Sequence, residues 1–184
     1  MVLPTQSTSG EQNSNVVRMK FSNTHSESEV TGGQFLPGKA NYLKGNNPDR
    51  WLIDIPTFKT ITYTELYPGI DVIFYGNQRV LEFDFIVAPG ANPEAITLDI
   101  EGAEKLEKGQ NGDLKICLSE DYLLLRKPSI YQMTDSEKKE IIGSFHLLTH
   151  IKWVFNLNSM ILTKPLLSIQ LLSIQLILEG QIQM

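Results

Sequence analysis

Residues Tyr67 to Pro89, reading YPGIDVIFYGNQRVLEFDFIVAP, constrain the fold more than any other stretch of the chain. Two apolar runs flank the polar turn Gly76-Asn77-Gln78-Arg79, and both alternate residue by residue. In the second run Leu81, Phe83, Phe85 and Val87 point one way, while Glu82 and Asp84 point the other. Such alternation belongs to a half-buried β-hairpin with one face on a core and one in water.

Strand chemistry continues on both sides of this hairpin. Val17, Met19 and Phe21 alternate with Arg18 and Lys20 and predict a first strand. Gly32-Gly33 and Pro37-Gly38 read as turns around a short Phe35-Leu36 contact, and Gly45-Asn46-Asn47-Pro48-Asp49 as a strong turn cluster after Tyr42-Leu43. Pro56 is expected to end pairing after Trp51-Leu52-Ile53-Asp54-Ile55, whereas Thr57 to Tyr67 is rich in β-branched and aromatic residues. Further strands are predicted at Ile96–Ile100, on both sides of Asn111-Gly112, around Lys127-Pro128, and from Ile141 to Leu148 after a charged turn at Thr134–Lys139. No helical period is present. At 184 residues the chain is long enough for one domain with its own core. The expected fold is all-β, an antiparallel β-sandwich incomplete at both ends. Its span is 16–148, after a disordered Ser/Thr/Gln/Asn-rich lead-in at 1–15 and before an apolar, low-complexity tail at 149–184.

Charge and motif patterns narrow the function by exclusion. A net charge of -5, with no Lys/Arg cluster among aromatics, argues against nucleic acid. The lead-in has neither the basic nor the apolar region of a signal peptide, and Trp153–Leu178 is too interrupted for a transmembrane helix. Cys117 is the single cysteine and reads as a small packed residue, since no base can be assigned to it. His25 lies in a polar loop, and His146 and His150 lack the intervening Glu of a helical zinc motif. Asp71, Asp84, Asp99 and Asp113 sit near turns or strand ends, as in calcium-binding sandwiches, but none lies in a spaced acidic loop. Nothing points to a cofactor.

Two constellations are candidates for a site. Glu82 and Asp84 share a strand face at a spacing of about 7 Å, near the carboxylate separation of an inverting glycosidase. The plainer reading is the solvated face of an amphipathic strand. Tyr63, Tyr67 and Tyr75 are candidates for a glycan- or protein-binding face; cross-strand packing pairs are the alternative.

Several phrases together carry a family resemblance: LPGKANYLKGNNPDRW (36–51), IPTFKTITYTELYPGIDVIFYGNQRVLEFDFIVAPGANPEAI (55–96), IEGAEKL (100–106), NGDL (111–114) and RKPSIYQ (126–132). Over roughly residues 16–148 the chain resembles the β-rich domain of unknown function that precedes SBBP β-propeller repeats in large bacterial exported and cell-surface proteins. The resemblance implies a non-catalytic structural or interaction module, with extracellular or cell-surface placement and propeller repeats downstream. Its partner is unspecified, a protein or a glycan. The chain departs from the family's pattern in lacking an export signal and the repeats; as it stands it would be cytoplasmic.

The tail is the anomaly. From Ile141 to Leu178 there is no acidic residue, and Leu167–Leu171 (LSIQL) repeats directly as Leu172–Leu176. Two apolar strands or a low-complexity tail would produce this. Back-translation with a two-base shift instead permits Val-Gly-Phe near residues 152–155. From Pro165 to Gly180 it permits Leu-Val-Ile-Asp-Pro-Val-Leu-Val-Tyr-Ser-Thr-Tyr-Leu-Gly-Gly, similar to the family's junction into the repeats. The expectation is a frameshift near His146–Lys152. A sandwich closed by an out-of-frame tail is expected to be marginally stable. The leading functional expectation is therefore a non-enzymatic module, with a carbohydrate-binding domain as alternative and a glycoside hydrolase-like enzyme as a more distant one.

Overall fold

The computed structural model describes residues 2–4, 16–77, 80–119, 121–133, 138–149, 152–157 and 170–177. Fifteen strands follow in chain order: β1 (Val2–Pro4), β2 (Val16–Phe21), β3 (Glu29–Tyr42), β4 (Leu52–Tyr67), β5 (Ile70–Asn77), β6 (Val80–Val87), β7 (Thr97–Glu101), β8 (Lys105–Lys108), β9 (Leu114–Cys117), β10 (Tyr122–Leu125), β11 (Ser129–Met133), β12 (Lys138–Ile141), β13 (Gly143–Thr149), β14 (Lys152–Leu157) and β15 (Gln170–Ile177). All pairings are antiparallel, so the fold is all-β. A five-stranded sheet runs β1-β2-β7-β14-β13, and a ten-stranded sheet runs β3-β4-β5-β6-β15-β10-β9-β8 with β11 and β12 branching from β15. Among the described residues no helix is long and apolar enough to cross a membrane.

The central hairpin forms as its alternation predicts. Gly76 and Asn77, read from the sequence as part of the turn, instead belong to β5 and pair with Leu81 and Val80, while residues 78–79 lie outside the described set. Phe83, Phe85 and Val87 are buried on one face. The small sheet covers that face through β2 and β7: Val17, Met19, Leu98 and Ile100 join the same core cluster. Phe21 is the clamp between sheets, its ring 5.6 Å from Phe85, 6.1 Å from Phe74 and 6.2 Å from Phe83. These tilted and edge-to-face contacts favour attraction between ring edge and ring face.

A polar bond reinforces the clamp. Tyr67 is buried at the end of β4, and its hydroxyl donates to the Thr97 carbonyl at 3.2 Å while accepting from the Thr97 N–H at 3.3 Å. One phenol thus satisfies two backbone groups at the start of β7.

Several local expectations need correction. Gly32-Gly33 and Pro37-Gly38 are not turns; all four lie inside the 14-residue strand β3. A Cβ at Gly32 would meet the Phe58 ring at 2.5 Å, and one at Gly33 the Thr60 hydroxyl at 2.5 Å, so these glycines admit cross-strand side chains instead of reversing the chain. Pro56 does not stop pairing either, since it stands opposite Lys39. There β4 has a partner on one side alone, because its pairing with β5 covers Thr60 to Tyr67. The missing proline N–H therefore costs no ladder bond. The Asn47-Pro48 and Asn92-Pro93 turns close as 3-10 turns, with the asparagine side chains accepting from Asp49 N and Glu94 N at 3.0 Å. The single strand expected from Ile141 to Leu148 is split at Ile142, with β12 in the large sheet and β13 in the small one.

Three strands come from the segments set apart as lead-in and tail. β1 pairs with β2 from Val2↔Arg18 to Pro4↔Val16, while residues 5–15 lie outside the described set. β14 fills the space between β7 and β13, and β15 lies against β6 from Gln170↔Val87 to Leu176↔Leu81. The common cause is backbone demand: β2, β7 and β6 would otherwise present open edges.

Burial raises the Tyr67 pKa above the ordinary phenol value, and the nearby Asp99 charge adds to this, against the lowering effect of the Thr97 bond. A raised folded-state pKa means that the stability contribution is full below the unfolded value of about 10 and falls as pH rises through the folded one. Denaturant titrations should therefore show stability declining above about pH 10. Tyr67→Phe should lower stability at neutral pH by about 1–3 kcal/mol, by leaving the Thr97 N–H unpaired, and flatten part of the alkaline decline.

Candidate functional site

The two carboxylates singled out on β6 lie on the face away from the core, where Glu82 stands opposite Tyr75 and Asp84 opposite Ile73. They are half-buried, because β6 is an interior strand flanked by β5 and β15. Their neighbours are structural. The Tyr75 hydroxyl donates to Asp84, 3.0 Å from Oδ1 and 3.1 Å from Oδ2. Tyr131 on β11 approaches the same group: burial first, then the Asp84 charge, raises its pKa. The Lys138 ammonium sits 3.6 Å above the Tyr131 ring, a cation–π contact. The outer face thus gathers Tyr75, Asp84, Tyr131 and Lys138 from β5, β6, β11 and β12. Tyr131 and Lys138 escape sequence reasoning because β15 lies between their strands and β6, and nothing in their local pattern announces that insertion.

A glycosidase needs a desolvated carboxyl as acid and a second one facing it across the sugar. Glu82 and Asp84 are on one strand, side by side and partly wet. The geometry supplies a hydrogen-bonded sheet surface.

The three tyrosines do not share a face. Tyr63 pairs with Val72 and packs on the core side, its ring 5.8 Å from Phe74. Tyr67 is 1% exposed and belongs to the core, which removes it from any binding surface. Tyr75 alone faces outward, with its hydroxyl committed to Asp84. The period-two alternation of strands forces this result, since residues 67 and 75 lie on different strands and 63 faces the opposite side from 75.

The four aspartates that suggested a calcium-binding sandwich each hold a different structural bond. Asp71 accepts from Glu65 N at 2.7 Å, Asp84 from Tyr75, and Asp99 from the Ser22 hydroxyl. Asp113 is buried and accepts from Lys127 N at 2.7 Å and from Arg126 Nη1 at 3.0 Å. That last pair secures the step at Arg126–Pro128, where the chain passes from β10 to β11 along the edge of β15. Among the described residues no three His, Cys, Asp or Glu side chains are grouped to hold a metal ion. Cys117 is buried, and burial, then its hydrogen bond to Glu107 at 3.4 Å, pushes its thiol pKa up. Such a thiol stays protonated and inert at neutral pH. His25 and His146 are exposed, and His150 lies outside the described residues.

Asp113→Ala should strand the Lys127 N–H and loosen the β10–β11 step. A loss of about 1–3 kcal/mol in urea unfolding is expected, whereas Asp71→Ala, at a more exposed turn, should cost less.

No curated protein and no solved structure matches the chain. A family model does match, over residues 3–167, a span that begins within β1 and extends past β14. The match takes in the tyrosine anchor and the aspartate-tied turns, and the chain belongs to the family of the domain of unknown function DUF7948.

Proposed function

We propose that the chain is a non-catalytic interaction module that docks another protein domain through the β3–β4 arm. One observation carries this reading. Of the nine exposed large hydrophobic side chains among the described residues, eight (Val30, Phe35, Leu36, Tyr42, Leu43, Leu52, Ile53 and Ile61) lie on β3, β4 and the loop joining them. Scattered exposed apolar residues are ordinary, but a concentration on one element marks an interaction surface.

The arm is built to hold its shape. Beyond Thr60 it has, among the described residues, two strands and no third, an arrangement of marginal stability unless local bonds support it. Such bonds are present: Thr57 Oγ1 donates to Gly38 O at 2.5 Å, Asp54 N to Asn41 Oδ1 at 2.8 Å, and Trp51 Nε1 to Gly45 O at 3.1 Å. Phe35 leans on Phe58 with ring centroids 4.8 Å apart, yet remains 77% exposed. A surface dominated by Leu, Ile and Val suits an apolar protein partner better than a sugar, which stacks on flat aromatic platforms. The dispersal of Tyr63, Tyr67 and Tyr75 takes support away from the carbohydrate-binding alternative.

The family resemblance suggests the partner: β-propeller repeats encoded downstream, in a secreted or cell-surface bacterial protein whose reading frame changes near His146–Lys152. The genomic DNA tests this part. Stop codons in the shifted frame, or no repeats beyond it, would sink both the frame change and the propeller partner. With the repeats joined in frame, amide exchange across residues 34–59 should slow by about tenfold or more, as docking of roughly 1.4 kcal/mol requires. Leu52→Asp together with Ile53→Asp should restore the fast exchange, and equal exchange with and without the repeats would refute the docking. For the non-catalytic reading, Glu82→Gln should leave glycan turnover at the background of the unaltered chain; turnover that Glu82→Gln abolishes would establish an enzyme.

A further inference from the structure

Where β2 ends, the two sheets leave a partly open cavity of about 350 Å³. Its walls include Phe21 from β2, Ile61 and Tyr63 from β4, Phe74 from β5, and Leu81 and Phe83 from β6. This site goes beyond the docking role of the arm. We infer that it binds a neutral small molecule carrying an aromatic ring.

The volume falls within the range of ligand sites, about 300–1,000 Å³. Among the described residues no lining side chain is charged, so these walls would desolvate an ionic ligand without compensation. The rings offer both edges and faces: Phe74 and Phe83 lie 5.5 Å apart at 34°, whereas Tyr63 meets Phe74 at 74°. An aromatic guest can complete this arrangement by offset stacking on one ring and edge-to-face contact with another. Tyr63 supplies the cavity's polar handle, for among the described residues its hydroxyl has no hydrogen-bond partner. Ile61 is 43% exposed, so it stands at the mouth, and a guest can enter without opening the sheets. Phe21, at the end of β2, lies over Phe74 of β5 and Phe83 of β6 and forms the roof of the cavity on the side of the small sheet.

The test uses the full chain and N-phenyl-1-naphthylamine, a neutral aromatic fluorophore. A blue-shifted, saturable signal with one site per chain is expected. Ile61→Asp, which puts a charge at the mouth, should weaken it by about tenfold or more. Leu52→Asp on the arm should leave it unchanged. In the unaltered chain, nuclear Overhauser contacts should run from the naphthyl protons to the Tyr63 and Phe74 rings, a readout that does not depend on any variant folding. Binding that is unsaturable, that survives Ile61→Asp in a folded chain, or that disappears with Leu52→Asp would overturn the assignment. So would contacts to Phe35 or Tyr42 in place of Tyr63 and Phe74. Displacement of the probe by an apolar peptide but not by unlabelled naphthalene would likewise overturn it, in favour of a protein segment.

Discussion

The contact on which the rest depends is the closure of Phe21 over Phe74, Phe83 and Phe85. Neither sheet alone can bury its apolar face, and an antiparallel sheet gains a core by packing a second sheet about 10 Å away. Burying one phenylalanine contributes roughly 1.5–3 kcal/mol, so four mutually packed rings outweigh any surface ion pair in the molecule. Lys20–Glu101 and Lys39–Asp54, by contrast, are solvent-exposed pairs, worth about 1 kcal/mol or less. Aromatic packing is tolerant of small slides, however, and Tyr67 removes that tolerance. By bonding both the N–H and the carbonyl of Thr97, it fixes where β7 begins relative to β4.

Closure on the other side of β6 has a different character. Against β6, Ile174 stands opposite Phe83 and Leu172 opposite Phe85, while Ser173 and Gln175 stand opposite Asp84 and Glu82. From Ile86 to Leu81 the register thus sets like residue types opposite one another, as a stable register favours, and Gln170 opposite Val87 is the exception. Yet the tandem LSIQL copies weaken the uniqueness of that register. A slip of five residues would set Leu167–Leu171 where Leu172–Leu176 now stand, with the same residue types opposite Leu81 to Phe85 but Pro165 in place of Gln170 opposite Val87. A slip of one residue would instead place Ser173 or Gln175 opposite Phe83. The alternation forbids the short slip and leaves the long one to be decided by the residues outside the repeat.

The sequence made the centre legible and the edges illegible, for a physical reason. At Phe83, Phe85 and Val87 the burial of one face imposes a two-residue period that can be read locally. At Gly32-Gly33 and Pro37-Gly38 the same residue types that punctuate turns elsewhere lie within an edge strand, where one side needs no ladder and close cross-strand contacts favour glycine. Composition could not separate these cases, because the deciding fact is the neighbour: Phe58 above Gly32, and no strand beyond Pro56. The tyrosines of the candidate site part ways for a similar reason. Tyr63, Tyr67 and Tyr75 look equivalent in sequence, but strand parity and the sheet partner send one to the cavity, one to the core and one to Asp84. The positions of β14 and β15 were equally hidden, since they answer to open edges on β7 and β6 far away in the chain.

The exposed arm and the open cavity have one cause, the mismatch between the two sheets. Ten strands lie in the large sheet's main and branched path, against five in the small one. Among the described residues the small sheet reaches β5 and β6 through β2 but has no comparable strand to lay over β4 and β3. Apolar residues on that overhang therefore have two fates. Those close to β2, such as Tyr63 and Phe74, line a recess with one wall missing. Those farther out, such as Phe35, Leu52 and Ile53, meet water. Ile61 stands at the boundary, lining the cavity while remaining 43% exposed. A fold that merely needed to be stable would place charged or short residues on such an overhang, as the opposite edge does with Lys105 and Lys108 on the four-residue β8. The overhang keeps Phe, Leu and Ile instead and braces them with arm-internal hydrogen bonds, the arrangement that the proposed docking of another domain would use.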